Sequence, residues 1–219
     1  MSTSTPTPFD SSLYTSDNKH HLLLAATGSV ATIKIPNIIT ALSAHTNLSI
    51  RLIMTSSAAH FLGGQSAEQP SLESIAKMPN VDGIYFDADE YAIPWTRGAK
   101  ILHIELRRWA DLLVIAPLSA NSLGKMAGGL CDNLLLSTVR AWDVSGMLDE
   151  AHAMNTAMWF HPLTAKHLEL LEGEWNVKNG GWVEVMRPIE KTLACGDTGS
   201  GAMKDWNDIV TRIEEILGL

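Results

Sequence analysis

The stretch that decides the fold is Asp111-Leu112-Leu113-Val114-Ile115-Ala116, which ends at Pro117. Its apolar residues follow one another without alternation, so it predicts a central strand covered on both faces. Upstream, short apolar runs at residues 22–26 and 48–55 flank a helical pattern at residues 31–44. Strands that alternate with helices are typical of an α/β protein with a parallel sheet.

The rest of the chain extends this pattern around the central strand. Helical patterns occur at residues 120–127, 133–141 and 205–217, and Asp205 is a candidate N-cap of the last one. Weak periodicity at residues 63–94 and 172–183 predicts loop with short helical pieces. Residues 1–18 are rich in Ser, Thr and Pro and are expected to form a disordered tail, which leaves residues 19–219 as a single domain.

Composition excludes several classes of function. The net charge of -8 argues against a nucleic-acid binder, which needs a basic face. No apolar run approaches the roughly 20 residues of a membrane span, and the N-terminus resembles no signal peptide. Two cysteines, Cys131 and Cys195, form neither a disulfide framework nor a zinc site, so a cytoplasmic protein without a metal is expected. Cys131 is expected to pack rather than react.

Two turns after predicted strands carry small polar residues. Thr27-Gly28-Ser29-Val30 leads into a helix, and such a turn offers a phosphate close backbone approach, hydroxyl groups and helix N-terminal amides. The glycine patterns of dinucleotide sites and P-loops are missing, which favours a mononucleotide such as FMN. Ser119, Asn121 and Ser122 follow the central strand at the sheet edge where α/β proteins bind ligands. An ordinary turn and plain helix caps remain alternatives.

Three separate residues are candidates for chemistry. His103 can act as an acid, a base or a donor near neutral pH, and Asn155 can hold a carboxylate. Cys195 lies in the glycine-rich segment Ala194-Cys195-Gly196-Asp197-Thr198-Gly199, whose backbone can fold over a ligand. Taken singly, each residue also fits a structural role, as an inert histidine, a turn asparagine or a buried cysteine.

Four segments in this order, residues 103–111, 117–133, 153–159 and 194–203, resemble the homo-oligomeric flavin-containing cysteine decarboxylases. The likeness extends from about residue 22 to 210 and is greatest to the members that act in eukaryotic coenzyme A synthesis. It implies a flavodoxin-like (Rossmann-like) three-layer sandwich with a central parallel sheet. It also implies a homotrimer, or a mixed trimer with a homologue, that binds FMN near a subunit boundary.

The resemblance assigns roles to particular residues. His103 matches the essential histidine of the family, Asn155 the asparagine that binds the substrate carboxylate, and Cys195 the cysteine that donates a proton. Further substrate contacts are implied at Met158, Ala194, Gly196 and Asp197. The implied FMN contacts are Gly28, Ser29, Val30, Thr55, Ser56, Ser119, Ala120, Asn121, Ser122 and Ala153. Before the Asn155 segment the family has an apolar strand and a proline, where this chain has Leu148-Asp149-Glu150-Ala151-His152.

The implied activity is decarboxylation of 4'-phospho-N-pantothenoyl-L-cysteine to 4'-phosphopantetheine. Direct loss of carbon dioxide from a cysteine unit would leave an unstabilised carbanion. In the family mechanism FMN first oxidises the thiol-bearing carbon. The carboxylate is then lost as carbon dioxide, which gives an enethiolate. Reduction and protonation of this enethiolate complete the product.

Other classes of function are alternatives to this reading. One is a regulatory subunit of a mixed trimer, or a non-enzyme similar to fungal phosphatase inhibitors; the presence of His103, Asn155 and Cys195 argues against it. Another keeps the flavin and changes the substrate, as in peptidyl-cysteine decarboxylases or flavin prenyltransferases.

Overall fold

The structure is a computed structural model, and it describes residues 9–142, 148–152, 162–192 and 198–219. Its centre is a six-stranded sheet in which every neighbouring pair of strands is parallel. The strands are β1 (His20–Ala26), β2 (Leu48–Met54), β5 (Val81–Tyr85), β6 (Leu112–Leu118), β7 (Leu148–His152) and β8 (Val183–Met186). They lie in the order β5-β2-β1-β6-β7-β8, so β1 and β6 are central.

Helices connect the strands and cover both faces of the sheet. They are α1 (Ile35–Leu42), α2 (Ser56–Ala59), α3 (Leu72–Ile75), α4 (Leu102–Trp109), α5 (Ala120–Ala127), α6 (Leu134–Arg140), α7 (Pro162–Glu172) and α8 (Trp206–Leu217). Alternate residues of β1 point to opposite faces: Leu22 and Leu24 pack in one cluster with α1 and α8, whereas Leu23 packs in a second with α4 to α7. Two buried clusters separated by a parallel sheet make the three-layer sandwich that the sequence predicts.

Most predicted elements lie where the periodicity places them. The central strand and the helices α5, α6 and α8 are confirmed within one or two residues, and the Asp205 side chain caps α8 by accepting from the Asn207 N–H at 3.0 Å. The predicted helix at residues 31–44 begins as a 3₁₀ turn, Val30–Lys34, and becomes α-helical only at α1. Pro36 fits there because the first turn of a helix needs no N–H donor from it.

Residues 63–94 contain more regular structure than the loop predicted for them. They include a hairpin of β3 (Gly63–Ser66) and β4 (Gln69–Ser71), the short helix α3, and β5 at the edge of the main sheet. The prediction was wrong for β5 because an edge strand is only partly buried and does not require a continuous apolar run. Asp82 on this strand accepts a hydrogen bond from the Ser49 hydroxyl on β2.

The segment Leu148–His152 forms β7 despite its two acidic residues. It pairs with β6 on one side and with β8 on the other, and Asp149 is aligned with Val114 and Glu184. Further along, β9 (Ile189–Thr192) and β10 (Thr198–Ala202) form an antiparallel pair outside the main sheet. In the sequence, β7 therefore immediately precedes the segment that carries the predicted Asn155, and β9 and β10 flank the segment that carries the predicted Cys195.

The described part of the N-terminal segment differs from the disordered tail that the sequence predicts. Residues 9–14, here called the N-terminal strap, include a 3₁₀ turn at Ser11–Tyr14 and pack against α4 and β2. The backbone N–H and the hydroxyl of Ser11 donate to the Glu105 carboxylate at 2.9 and 2.7 Å. Glu105, on α4, is buried, with 1% of its side chain exposed, so it needs these donors.

Aromatic rings hold the strap in place over a buried cation. The guanidinium of Arg51, on β2, lies 4.2 Å from the ring centre of Phe9 and 5.0 Å from those of Tyr14 and Trp109. Arg51 is only 4% exposed, and it donates to the Tyr85 hydroxyl at 2.5 Å. Cation–π contacts at a desolvated site are each worth about 2 kcal/mol, which explains why a polar N-terminal segment is ordered here.

Cys131 also differs from its prediction, because it is exposed rather than packed. Asn133 caps α6 by accepting from the Leu136 N–H at 2.8 Å, a role that the preceding Asp132 does not take. Asp132 is instead paired with Lys125 at 2.5 Å, and this hydrogen bond lowers the pKa of its carboxyl group. The cysteine thus lies on a surface loop.

Candidate active site

The carboxyl ends of three neighbouring strands bring the predicted cofactor residues to one edge of the sheet. Strands β2, β1 and β6 are adjacent and parallel, and each is followed by a turn that opens a helix. These turns carry Gly28, Ser29 and Val30 after β1, Thr55 and Ser56 after β2, and Ser119, Ala120, Asn121 and Ser122 after β6. Parallel strands place ligand sites at this edge.

Thr27 joins the turn after β1 to the turn after β6. Its hydroxyl donates to the Pro117 carbonyl at 2.8 Å and accepts from the Ser119 N–H at 2.6 Å. Its own carbonyl accepts from the Thr32 hydroxyl at 3.0 Å, and the residue is fully buried. Thr27 belongs to the turn predicted to bind a phosphate, but its hydroxyl is used to join the two turns, a role that the sequence pattern does not indicate.

The turn after β2 lies against the Gly28 turn. The Thr55 hydroxyl accepts from the Ala58 N–H at 3.3 Å and lies 3.3 Å from the Ser57 hydroxyl. A Cβ atom added to Gly28 would be 2.6 Å from that Ser57 hydroxyl, which is closer than side chains approach one another. Position 28 therefore needs glycine for close approach, and Ser57 joins the site as a residue that the sequence analysis missed.

The hydroxyl groups of the site divide into buried caps and accessible donors. Thr55 and Ser122 are buried, and Ser119 caps α5 by accepting from the Ser122 N–H at 3.3 Å. Ser29 caps the following 3₁₀ turn by accepting from the Ala31 N–H at 3.3 Å and is half-buried, while Ser56 is exposed. The cluster thus combines a rigid inner layer with an accessible rim of hydroxyl and amide groups.

His103 lies at the start of α4 and is held by one carboxylate. Its ring Nδ1 is 2.6 Å from Oε1 of Glu90, and its backbone N–H donates to Oε2 of the same residue at 3.1 Å. The Glu90 side chain is 5% exposed and the His103 side chain 23% exposed, so the imidazole is partly open to solvent. Within the described ranges, the side-chain hydrogen bonds of His103 go to Glu90, not to the three turns.

The strap supports the same helix from its other side. Burial tends to raise the pKa of the Glu105 carboxyl group, but the two hydrogen bonds from Ser11, with help from Lys100 and Arg108, lower it overall. Glu105 therefore remains an ionised, buried anchor between the strap and α4.

Seven predicted site residues lie outside the described residues, so the structure gives no geometry for them. They are Ala153, Asn155 and Met158 after β7, and Ala194, Cys195, Gly196 and Asp197 between β9 and β10. The residues that flank both segments in the sequence are described. His152, the last residue of β7, is paired with Leu118 at the end of β6, and Thr192 is paired with Thr198. The chain thus leaves β7 at the same sheet edge as the three turns.

The described part of the chain contains neither a candidate metal site nor a candidate membrane span. No three histidine, cysteine or acidic side chains there are grouped as metal ligands would be. None of its helices has the length and apolar character needed to cross a membrane.

Comparison with known proteins places the chain in a family. The model of the family described as Flavoprotein matches residues 10–218, and the chain belongs to this family. Phosphopantothenoylcysteine decarboxylase of Mus musculus is 39% identical over 96% of this chain and 93% of its own length. A probable thymidylate synthase of Schizosaccharomyces pombe is 43% identical, and the chain spans only 30% of that relative's length.

Solved structures of related proteins have the same fold as this chain. A cysteine-to-serine mutant of PPC decarboxylase complexed with pantothenoylaminoethenethiol has a TM-score of 0.76 and 43% identity, covering 92% of this chain and all of the other. The FMN binding protein AtHal3 has a TM-score of 0.73 and 43% identity over 90% and 96% of the two chains. The predicted flavodoxin-like fold and the resemblance to flavin-containing cysteine decarboxylases are thereby confirmed.

Proposed function

We propose that this chain is an FMN-dependent decarboxylase that converts 4'-phospho-N-pantothenoyl-L-cysteine into 4'-phosphopantetheine in coenzyme A synthesis. The observation that carries the proposal is the match to PPC decarboxylase over nearly the whole of both chains. The ligand of that structure is a pantothenoyl group joined to an unsaturated two-carbon thiol. Chemically this is the cysteine unit without its carboxylate and oxidised by two electrons, which supports decarboxylation coupled to thiol oxidation.

The turn cluster fits FMN. A phosphate needs close backbone approach, and Gly28 is the position where any side chain would fill the space against Ser57. The donors around it are neutral hydroxyl and amide groups, which suit a phosphate and a flavin ring edge. We assign the phosphate to Gly28, Ser29 and Val30, and the flavin to the turns after β2 and β6 together with Ala153. Bound FMN supplies a two-electron oxidation and the matching reduction.

The resemblance supports the roles of the remaining residues. His103 activates or orients the substrate thiol, Asn155 holds the carboxylate before it leaves, and Cys195 donates a proton from its Sγ to the carbon that loses carbon dioxide. Met158, Ala194, Gly196 and Asp197 close over the substrate. This combination favours an enzyme over the regulatory subunit or phosphatase inhibitor considered above, as do the relatives named as decarboxylases.

Exposed apolar side chains support an oligomer, and the family resemblance implies that it is a homotrimer. Tyr91 and Trp95 are 85% and 61% exposed on the segment that leads to α4, and Ile93 and Ile101 of the same segment are also exposed. Several large apolar side chains exposed on one segment are candidates for a surface that a partner covers. We infer a cytoplasmic homotrimer, with the exposed thiol of Cys131 favouring a reducing compartment. Light scattering on the purified protein should give three times the mass of the 23.8 kDa chain.

A visible spectrum followed by a turnover assay tests the function. The purified protein should be yellow and should release carbon dioxide from 4'-phospho-N-pantothenoyl-L-cysteine. Cys195→Ser should bind flavin and accumulate the oxidised, decarboxylated intermediate, whereas the matched change Cys131→Ser on the surface should leave turnover unchanged. Flavin-bound protein without turnover, or normal turnover by Cys195→Ser, would contradict the proposal.

A further inference from the structure

Glu90 meets His103 through both of its carboxylate oxygens. One oxygen lies 2.6 Å from the ring Nδ1, and the other accepts the backbone N–H of His103 at 3.1 Å. The glutamate lies just after the 3₁₀ turn Asp87–Asp89 and is almost completely buried by its surroundings. The backbone and the ring of the histidine are therefore fixed by the same group.

The backbone contact gives Glu90 the role of a helix cap. His103 is the second residue of α4, so its N–H is one of the first four, which have no partner inside the helix. The N-cap residue, Ile101, has no side chain that can accept such a bond. A carboxylate at the positive end of the helix is also favoured electrostatically.

The ring contact determines which nitrogen of the imidazole carries the proton. An ionised carboxylate only accepts hydrogen bonds, so Nδ1 must be the donor, and in the neutral ring Nε2 then has a lone pair. The other acidic residues of this segment are used elsewhere. Asp87 accepts from the Leu134 N–H at 3.0 Å, and Asp89 accepts from the Phe86 N–H at 2.7 Å.

We propose that Glu90 is a positioning residue that holds His103 in the tautomer with the proton on Nδ1 and presents Nε2 as the base. This inference rests on the proposed function, because it gives Nε2 a substrate thiol to act on. Nε2 would accept the proton of the substrate thiol, and Glu90 would stabilise the resulting imidazolium, while FMN, when bound, would supply the two-electron oxidation by taking the hydride from the thiol-bearing carbon. Because Glu90 binds both the ring and the backbone N–H of His103, it holds Nε2 in a fixed position relative to α4.

Nitrogen NMR of the resting holoprotein tests the tautomer without any turnover. Two-bond correlations in ¹⁵N-histidine-labelled protein distinguish the two neutral tautomers from each other and from the imidazolium. The His103 signals are identified by their loss in His103→Asn. The native protein should show the proton on Nδ1. In Glu90→Gln the carboxamide oxygen can still accept from the His103 backbone N–H, which leaves the NH₂ group facing the ring. An NH₂ group donates, so Nδ1 becomes the acceptor and the ring proton should move to Nε2.

Matched variants separate positioning from simple structural support. Asp89→Asn removes a nearby carboxylate of the same segment that does not touch His103, and it should keep both the native tautomer and turnover. Glu90→Gln should lower kcat by about 10- to 100-fold, the loss typical of removing an orienting partner, while its flavin content stays close to that of Asp89→Asn. Glu90→Asp keeps the charge on a shorter side chain and should restore part of the activity.

The possible outcomes distinguish this inference from the proposed function. A native protein with the proton on Nε2, or a tautomer that does not respond to Glu90→Gln, would overturn the role of Glu90. So would a loss of flavin and thermal stability in Glu90→Gln that accounts for all of the lost turnover. The expected tautomers in a protein that never decarboxylates the substrate would instead refute the proposed function and leave the pairing of Glu90 with His103 intact.

Discussion

The Thr27 hydroxyl and the Ser119 backbone N–H form a 2.6 Å hydrogen bond between two turns that are 92 residues apart in the chain. The bond is partly buried and joins the proposed phosphate turn to the proposed flavin turn. Removing the hydroxyl leaves the half-buried Ser119 N–H without its acceptor, which costs about the net value of one hydrogen bond or more.

Thr27→Val should therefore destabilise the protein and weaken FMN binding together. We expect a loss of about 1 kcal/mol in the free energy of unfolding, the lower end of the cost of an unsatisfied polar group, because the Ser119 N–H is only half-buried. Thr27→Ser keeps the hydroxyl and should lose much less of both. Urea denaturation and flavin titration measure the two effects; a Thr27→Val protein with native flavin affinity would show that the turns are held together by other contacts.

Gly28→Ala should reduce FMN binding because its methyl group would be 2.6 Å from the Ser57 hydroxyl. Removing the opposing side chain with Ser57→Gly should restore part of the affinity in the double variant. The comparison of the two single variants with the double variant isolates their interaction energy. If the changes in FMN binding free energy caused by the two single substitutions simply add in the double variant, the close approach between positions 28 and 57 does not govern binding.

Phe9→Ala should destabilise the fold even though Phe9 lies in a segment with a polar composition. Its ring is 4.2 Å from the buried Arg51 guanidinium, and its loss removes both apolar burial and a cation–π contact. We expect a loss of about 1–3 kcal/mol in the free energy of unfolding. Leu13→Ala is the matched control, because Leu13 lies in the same strap and is 76% exposed. Equal effects of the two changes would rule out the strap as an ordered part of the domain.

Acid should weaken the fold through Glu105. Its pKa is lower in the folded protein than the ordinary value of 4.5, because hydrogen bonds from Ser11 and the nearby cations outweigh its burial. A lowered folded pKa stabilises the protein above the unfolded pKa, and this contribution is lost as the pH falls through the folded value. Glu105→Gln should therefore reduce the difference in unfolding free energy between pH 7 and acid, whereas the exposed change Glu68→Gln should not.

Strong periodic patterns made the sheet and most helices predictable. The residues of β6 are apolar throughout, and the helical spacing of α8 follows a capping aspartate, so local sequence and tertiary packing agree there. The turns after β1 and β6 were predictable because small polar residues follow apolar strands at an edge that the parallel topology defines.

Contacts between distant residues could not be predicted. An arginine within a strand normally indicates a solvent-exposed position, but Arg51 is buried beneath Phe9 and Tyr14, more than 35 residues away in the chain. Glu90 lies in a segment of weak periodicity, and only the folded chain places it on His103. Whether Asn155 and Cys195 join this site remains a prediction from the family resemblance.

The pairing of β1 with β6 has a consequence for synthesis on the ribosome. Leu22 on β1 is aligned with Leu112 on β6, so one edge of β1 stays unpaired until a partner strand is made 90 residues later. At ordinary elongation rates this wait lasts roughly 5–20 s. During that interval the emerging chain presents an unpaired strand edge with the apolar run at residues 22–26, which makes the nascent half of the protein the form most in need of a chaperone.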